Sequence, residues 1–477
     1  MAPSGAHFWR DVPNMALLVI LYSFQGLPMG LFLKSVPLLF KQYLSYQEIG
    51  LIMMATLPYS WKFLWAPVID IYQISSIGKR KSWIVPAQFA GCLVLFYLYY
   101  NVQALLEERR VYLLSGVLIF NTFVITCQDI AVDGWAVEIL HPTNSAYASA
   151  CQSVGLRTGM GISTTIFIAL NTVEFCNKWI YAAGDARAEP LVTIPSFILC
   201  WGVSQFLVTV YILLVVPEKV KYAPDGGAPG EGDAGEDDDE ITIKPSQILG
   251  ITWDILKNRN FIYFMVFLTL TFAANSIENN LSQVYLTSDL KFSKESLVSI
   301  KIVSVPLNFV ATFISSSLSR ERPFAMMTKI VLLNIVASCY AIFAMLGTFP
   351  VEQADQQSRL NLAHVAFVTL FTELSGTLWF VTLFAIIFKI VDKKIAGMHI
   401  TLLASLTNQC QFIHKFYLFE FVDRLGIFIP QAVLTVISLA AFVAMQSRIT
   451  AMDDTPIGTW HVSPELLASG DGERKAK

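Results

Sequence analysis

Charge is nearly excluded from long apolar runs that repeat along this chain from Met15 to Met445, and is concentrated in the gaps between them. A run of about 20 apolar residues is what an α-helix needs to cross a bilayer. Composition agrees: 55% of residues are hydrophobic and 14% charged, against roughly 25% charged in soluble globular chains. The chain therefore reads as an all-α, multi-spanning membrane protein. The few charges inside the runs, Lys62, Asp129, Asp133, Arg157 and Glu373, are where function is to be sought.

The runs fall near 15–38, 48–69, 83–101, 111–131, 147–170, 193–216, 260–282, 295–318, 324–348, 362–389, 396–419 and 426–447. These are twelve transmembrane helices. Lys and Arg collect on one side, at Arg10, Lys79 to Lys81, Lys257, Arg259, Lys393, Lys394 and Arg448. That side is expected to be cytosolic, with both termini on it. Met1 to Pro13 carries no cleavable signal, so the first span would direct insertion. A net charge of −3 gives no hint of nucleic acid, and the seven cysteines are scattered without metal-ligand spacing.

Residues 217–258 break the pattern. They hold Gly226-Gly227-Ala228-Pro229-Gly230 and the acidic run Glu236 to Glu240. Such a stretch cannot bury a core, and reads as a largely disordered acidic cytosolic linker. It divides the chain into an N-terminal six-helix half, 1–216, and a C-terminal half, 259–448, followed by a cytosolic tail, 449–477. The halves look related. Ser45 and Ser293 open the second and eighth spans, and a proline follows each by thirteen residues, at Pro58 and Pro306. Ser45 and Glu48 have capping-box spacing, and the prolines should kink corresponding helices. Two six-helix halves with interrupted helices describe the major facilitator architecture, which binds substrate at the midplane.

The second span ends in Lys62-Phe63-Leu64-Trp65-Ala66-Pro67-Val68-Ile69-Asp70, and Gly78-Lys79-Arg80-Lys81 follows. An acid at a helix end before a basic glycine turn suits a gate latched by charges, with Asp70 and Arg80 as its poles. Lys79 to Lys81 could equally be positive-inside anchors. Lys62 lies eight residues before Asp70, about 12 Å into the membrane, and reads as a cavity-facing cation rather than a snorkelling one. Asp129 and Asp133, four apart, share one face of the fourth span. They need cations or protons; Lys62, Arg80 and Arg157 are available, and a coupling role and a structural ion-pair network are both open. Arg157 lies near mid-membrane, among Gly155, Gly159 and Gly161, which would let helices approach closely. Its planar fork suits phosphate or carboxylate; pairing with Asp129 is the plainer alternative. In the second half, Glu278, Lys301 and Glu373 are candidate cavity residues, and Asn408, Gln409 and Gln411 place amides mid-span. His414 and Lys415 read as snorkelling near a span end.

The segments Lys62 to Asp70, Gly78 to Trp83 and Gln128-Asp129-Ile130-Ala131-Val132-Asp133-Gly134-Trp135 resemble those of the acetyl-coenzyme A transporter family, a branch of the major facilitator superfamily. The likeness continues through Tyr147-Ala148-Ser149, Ser153-Val154-Gly155 and Phe175 to Lys178, and returns at Gly397, Thr401 to Leu403 and Asn408. Bacterial muropeptide permeases carry a looser version of the same elements. The resemblance implies uptake of acetyl-CoA, or a related CoA thioester, from the cytosol into the endoplasmic reticulum or Golgi lumen, with no cofactor and no catalytic residue. Its partners would be the substrate and the lipid bilayer, with a homodimer as a further possibility. Lys62, Trp65, Gln128, Arg157 and Asn408 would bind substrate; Asp70, Arg80, Asp129, Asp133 and Glu373 would gate or couple. Two departures matter. Arg157 stands where the acetyl-CoA transporters tend to carry an uncharged polar residue and the permeases an arginine. Gln409 to Ile413 replaces the family's Gly-Gly-Asn-Trp-Pro. A divergent paralogue carrying another anionic amphiphile, such as a different CoA thioester or a sugar–peptide conjugate, is therefore an alternative. A membrane acyltransferase is a second, disfavoured because His364, His399 and His414 lie far apart in sequence.

Overall fold

The computed structural model describes residues 5–71, 77–140, 144, 147–181, 185–217, 245–289, 292–319, 321–348, 355–392 and 396–461. Among the described residues regular structure is helical, and the chain forms two compact units, Met1–Asp233 and Ala234–Lys477.

In the first unit, α1 (Gly5–Gly30) runs through a π segment, Leu31–Ser35, into α2 (Val36–Phe40). The second expected span is not one helix. It is built from α3 (Tyr46–Met53), a 3-10 turn, α4 (Leu57–Trp61), a second 3-10 turn at Lys62–Leu64 and α5 (Ala66–Ile71). Ser45 and Glu48 form the expected capping box, each side chain bonded to the other's backbone N–H. Pro58 sits in the first turn of α4, where its missing N–H costs little. The long helices α6 (Lys81–Glu107) and α7 (Val111–Ile139) follow. Next, α8 (Tyr147–Gly161) passes through a second π segment, Ile162–Ile166, into α9 (Phe167–Leu170), and α10 (Val173–Trp179) bends away by 81°. The unit closes with α11 (Ile194–Leu214).

Helices α1 and α8 approach most closely. A Cβ on Gly159 would lie 2.1 Å from the Ser23 carbonyl oxygen, and one on Gly155 2.5 Å from the Tyr22 Cβ. The expected close approach therefore holds at these two glycines. It does not hold at Gly161, where a Cβ would meet open space as the helix passes into its π segment. The core beneath packs Leu18, Leu21 and Tyr22 of α1 against Ala131, Val132 and Trp135 of α7. Outward positions such as Leu207 and Leu214 on α11 are exposed and apolar, as a lipid-facing surface requires.

The second unit begins earlier than expected. α12 (Pro245–Lys257) occupies the end of the stretch read as disordered linker; residues 218–244, with the acidic run, lie outside the described residues. Its Ile251 and Ile255 are buried, and this apolar spacing is what makes it a helix. There follow α13 (Arg259–Asn280), α14 (Ser282–Val284), α15 (Lys294–Leu318), α16 (Pro323–Thr348), α17 (Asp355–Ile390), α18 (Ala396–Phe412), α19 (Lys415–Leu425) and α20 (Phe428–Ala451). Helix α15 is capped by Ser293 and continues unbroken past Pro306, unlike its counterpart at Pro58. The expected tail also begins as packed structure. Two 3-10 turns, Met452–Asp454 and Ile457–Trp460, follow α20, and Trp460 is buried on Phe324.

Among the described residues nine helices are long and apolar enough to cross a membrane, ten if the bent pair Val154–Leu170 and Val173–Trp179 is one span. The remaining two expected segments, 48–69 and 396–419, are helical but interrupted, at the 3-10 turns and at Ile413-His414.

Candidate membrane-embedded charge site

The fourth expected span folds as α7, and its 3.6-residue period puts Asp129 and Asp133 on one face. Opposite them the second span is broken, and Lys62 opens the 3-10 turn after α4. Its ammonium lies 2.7 Å from Asp129 Oδ2 and 3.8 Å from Asp133 Oδ2. Of the three cations the sequence offered, Lys62 is therefore the partner of both carboxylates. Asp133 Oδ1 accepts two further hydrogen bonds, from the Tyr22 hydroxyl of α1 at 3.0 Å and the Gln152 amide of α8 at 2.9 Å. Four segments thus meet at one ion cluster.

Arg157 is not in that cluster. It is half-buried on α8, and among the described residues it makes no ion pair or hydrogen bond, so the expected alternative of an Arg157–Asp129 pair does not form. Gln128 is buried with its Nε2 unbonded, and Trp65 packs edge-on to Phe123 at 5.0 Å with its Nε1 buried and unbonded.

Arg80 forms a separate centre. It follows Gly78, whose φ of +99° turns the chain into α6. Its guanidinium lies flat against Gly134, where a Cβ would come within 2.3 Å of Cζ. It reaches one oxygen of Glu138 through Nη2 at 2.7 Å and Nε at 3.0 Å. Beside it the buried Lys81 donates to the Val216 carbonyl at the end of α11. The Asp70 backbone belongs to α5, and its side chain lies outside the described residues.

In the second unit Glu373 is half-buried on α17 and Asn408 is exposed on α18. His414 and Lys415 do not snorkel: both are buried, because the chain breaks there between α18 and α19. His414 Nε2 meets the Thr269 carbonyl at 2.9 Å, and Nδ1 meets the Tyr417 hydroxyl. His364 pairs with Tyr340, and His399 Nδ1 accepts the Asp392 N–H, so the three histidines have three separate sets of partners. Among the described residues no cluster of His, Cys, Asp or Glu could hold a metal ion.

Tyr22, Gln152 and Glu138 are the participants that sequence reasoning missed. Glu138 had a signal, since it ends the same helix as the two aspartates. Tyr22 and Gln152 had none beyond being polar within a span.

The chain resembles a bacterial homolog of the human lysosomal transporter Spinster, with a TM-score of 0.61, 11% identity and coverage of 92% of this chain and 97% of that one. At that identity the likeness shows the fold alone, which is the major facilitator architecture. An uncharacterised membrane protein of Saccharomyces cerevisiae is 26% identical over 85% of this chain and 82% of its own length. The anhydromuropeptide permease of Escherichia coli K12 is 25% identical over a local stretch, 39% of this chain and 36% of the permease. The family model described as acetyl-coenzyme A transporter 1 matches residues 14–455. With its interrupted helices and its intramembrane charges, the chain belongs to the acetyl-coenzyme A transporter 1 family.

Proposed function

We propose that this protein carries acetyl-CoA from the cytosol into the lumen of the endoplasmic reticulum or Golgi by alternating access. Family membership supports a carrier over an acyltransferase. Arg157 is the observation that carries the anionic substrate. A guanidinium in a membrane span without a carboxylate partner is costly, cannot shed its proton, and is shaped to bind phosphate oxygens in pairs. Acetyl-CoA offers several phosphates. Lys62 is a second anion site, held by Asp129 until substrate competes for it. Gln128 and Trp65, each with a buried unbonded donor, are candidates for polar contacts with the rest of the substrate, and Asn408 is a further candidate by its amide side chain. Asp70, Arg80 and Glu373 are assigned to gating.

Arg157 also supports a second reading. The local likeness to a relative named as an anhydromuropeptide permease fits a sugar–peptide conjugate as cargo. Uptake of labelled acetyl-CoA into proteoliposomes, with unlabelled candidates as competitors, separates the two. Arg157→Gln is expected to cut acetyl-CoA uptake at least tenfold, about the 1.5–3 kcal/mol of a charged hydrogen bond, in protein that elutes and melts as the wild type. Unchanged uptake in that variant removes the anion site. Stronger competition by a muropeptide than by CoA thioesters favours the second cargo.

A further inference from the structure

The Lys62 cluster is unbalanced in charge. One ammonium faces two carboxylates. The other groups turned toward Asp133 are neutral: the Tyr22 hydroxyl from α1 and the Gln152 amide from α8. Cys151 of α8 packs in the same core as a neutral thiol, and the Tyr59 hydroxyl of α4 is spent on the Gln25 carbonyl. Further along α7, Glu138 is answered by Arg80. With every group ionised, the cluster keeps one negative charge in excess.

The two oxygens of Asp133 are not equivalent. Oδ1 takes both neutral donors, whereas among the described residues Oδ2 has only the Lys62 ammonium as an ionic partner, at 3.8 Å. The Asp133 side chain also keeps 31% of its exposure, against 9% for Asp129, so Asp133 is the more accessible of the two carboxylates. An anion that draws Lys62 away would leave two carboxylates, one helical turn apart, without a cation. Two such neighbours do not both stay ionised in a low-dielectric site.

We propose that Asp133 Oδ2 is a proton-binding site linked to the substrate anion, so that anion and proton cross the membrane together. This rests on the anion-transport reading above. The proton comes from the water on the side where substrate enters, forms an O–H bond at Oδ2, and offsets one of the charges that the anion brings. On release of the anion, Lys62 returns to the carboxylates and the proton leaves to the water on the far side.

The test uses full-length protein in liposomes containing trapped pyranine, with the membrane potential clamped by valinomycin and equal potassium. A gradient of one pH unit, acid outside, is expected to raise steady-state acetyl-CoA accumulation by up to about tenfold for one proton per substrate. Addition of acetyl-CoA without a gradient is expected to acidify the lumen. Asp133→Asn should lose both responses and Asp133→Glu should keep them. Exchange of labelled for trapped unlabelled acetyl-CoA, which moves no net proton, reports whether each variant is folded. Wild-type uptake that ignores the gradient and moves no proton overturns the coupling and leaves the transport reading standing. A proton response that survives in Asp133→Asn overturns the assignment to Asp133. Absence of any saturable uptake or exchange overturns the transport reading, and the coupling with it.

Discussion

At the scale of single residues, the Lys62 ammonium holds two carboxylates inside the membrane, and its removal should be felt first as instability. Lys62→Ala leaves Asp129 and Asp133 without a cation, a loss of about 3–5 kcal/mol for a broken buried pair. The expected readout is a lowered melting temperature in detergent. Adding Asp129→Asn to Lys62→Ala should recover most of that loss without recovering uptake. A double variant as unstable as the single one contradicts the pairing. The aspartate pair was legible in the sequence, because a spacing of four fixes a shared helix face wherever the helix lies. The identity of the cation was not. Lys62, Arg80 and Arg157 were equivalent on paper, and the choice depended on how a broken second span comes against α7. Tyr22 and Gln152 left no periodic trace, because each is one polar side chain whose partner lies on another helix.

At the scale of elements, close packing and capping decide what can move. Helices α1 and α8 touch backbone to backbone at Gly159, so Gly159→Val must push them apart. With a Cβ 2.1 Å from a fixed carbonyl, no side-chain rotation relieves the clash. The cost is expected to exceed the roughly 1–3 kcal/mol typical of overpacking, seen as loss of monodisperse protein in size-exclusion chromatography. A well-behaved Gly159→Val contradicts the contact. In the second unit the segment after α20 acts as a strap. Asp453 accepts the Phe324 and Ala325 N–H groups at the start of α16 and pairs with Lys389 of α17 at 2.8 Å. Thr459 O accepts from Asn258, at the start of α13. Asp453→Ala should cost about 2 kcal/mol, through the lost cap and a charged hydrogen bond, measurable by thermal unfolding; an unshifted melting curve contradicts the strap. Most long apolar elements were readable from hydrophobic run length. The breaks were not: Pro58 announces one in the second span, but Pro306 sits in an unbroken helix and the break at Ile413-His414 carries no proline. The helix α12 and the strap were missed because both are short and fall in stretches whose charge reads as solvated.

At the scale of the whole molecule, the apolar runs, the shared pattern of the two halves and the Gln128 to Trp135 string pointed to one architecture and one family. The fold likeness and the family match over residues 14–455 agree with that reading. The cargo is a property of the site, which fold does not determine. On the proposed reading the intramembrane cations serve an anionic CoA thioester. The most direct measurement is uptake of radiolabelled acetyl-CoA by purified protein in liposomes, with and without trapped CoA. Carriage of acetyl-CoA by this protein predicts saturable uptake, reduced by Arg157→Gln; stimulation by trapped CoA would identify exchange as one mode of turnover. Correctly folded protein that takes up no acetyl-CoA under either condition contradicts it.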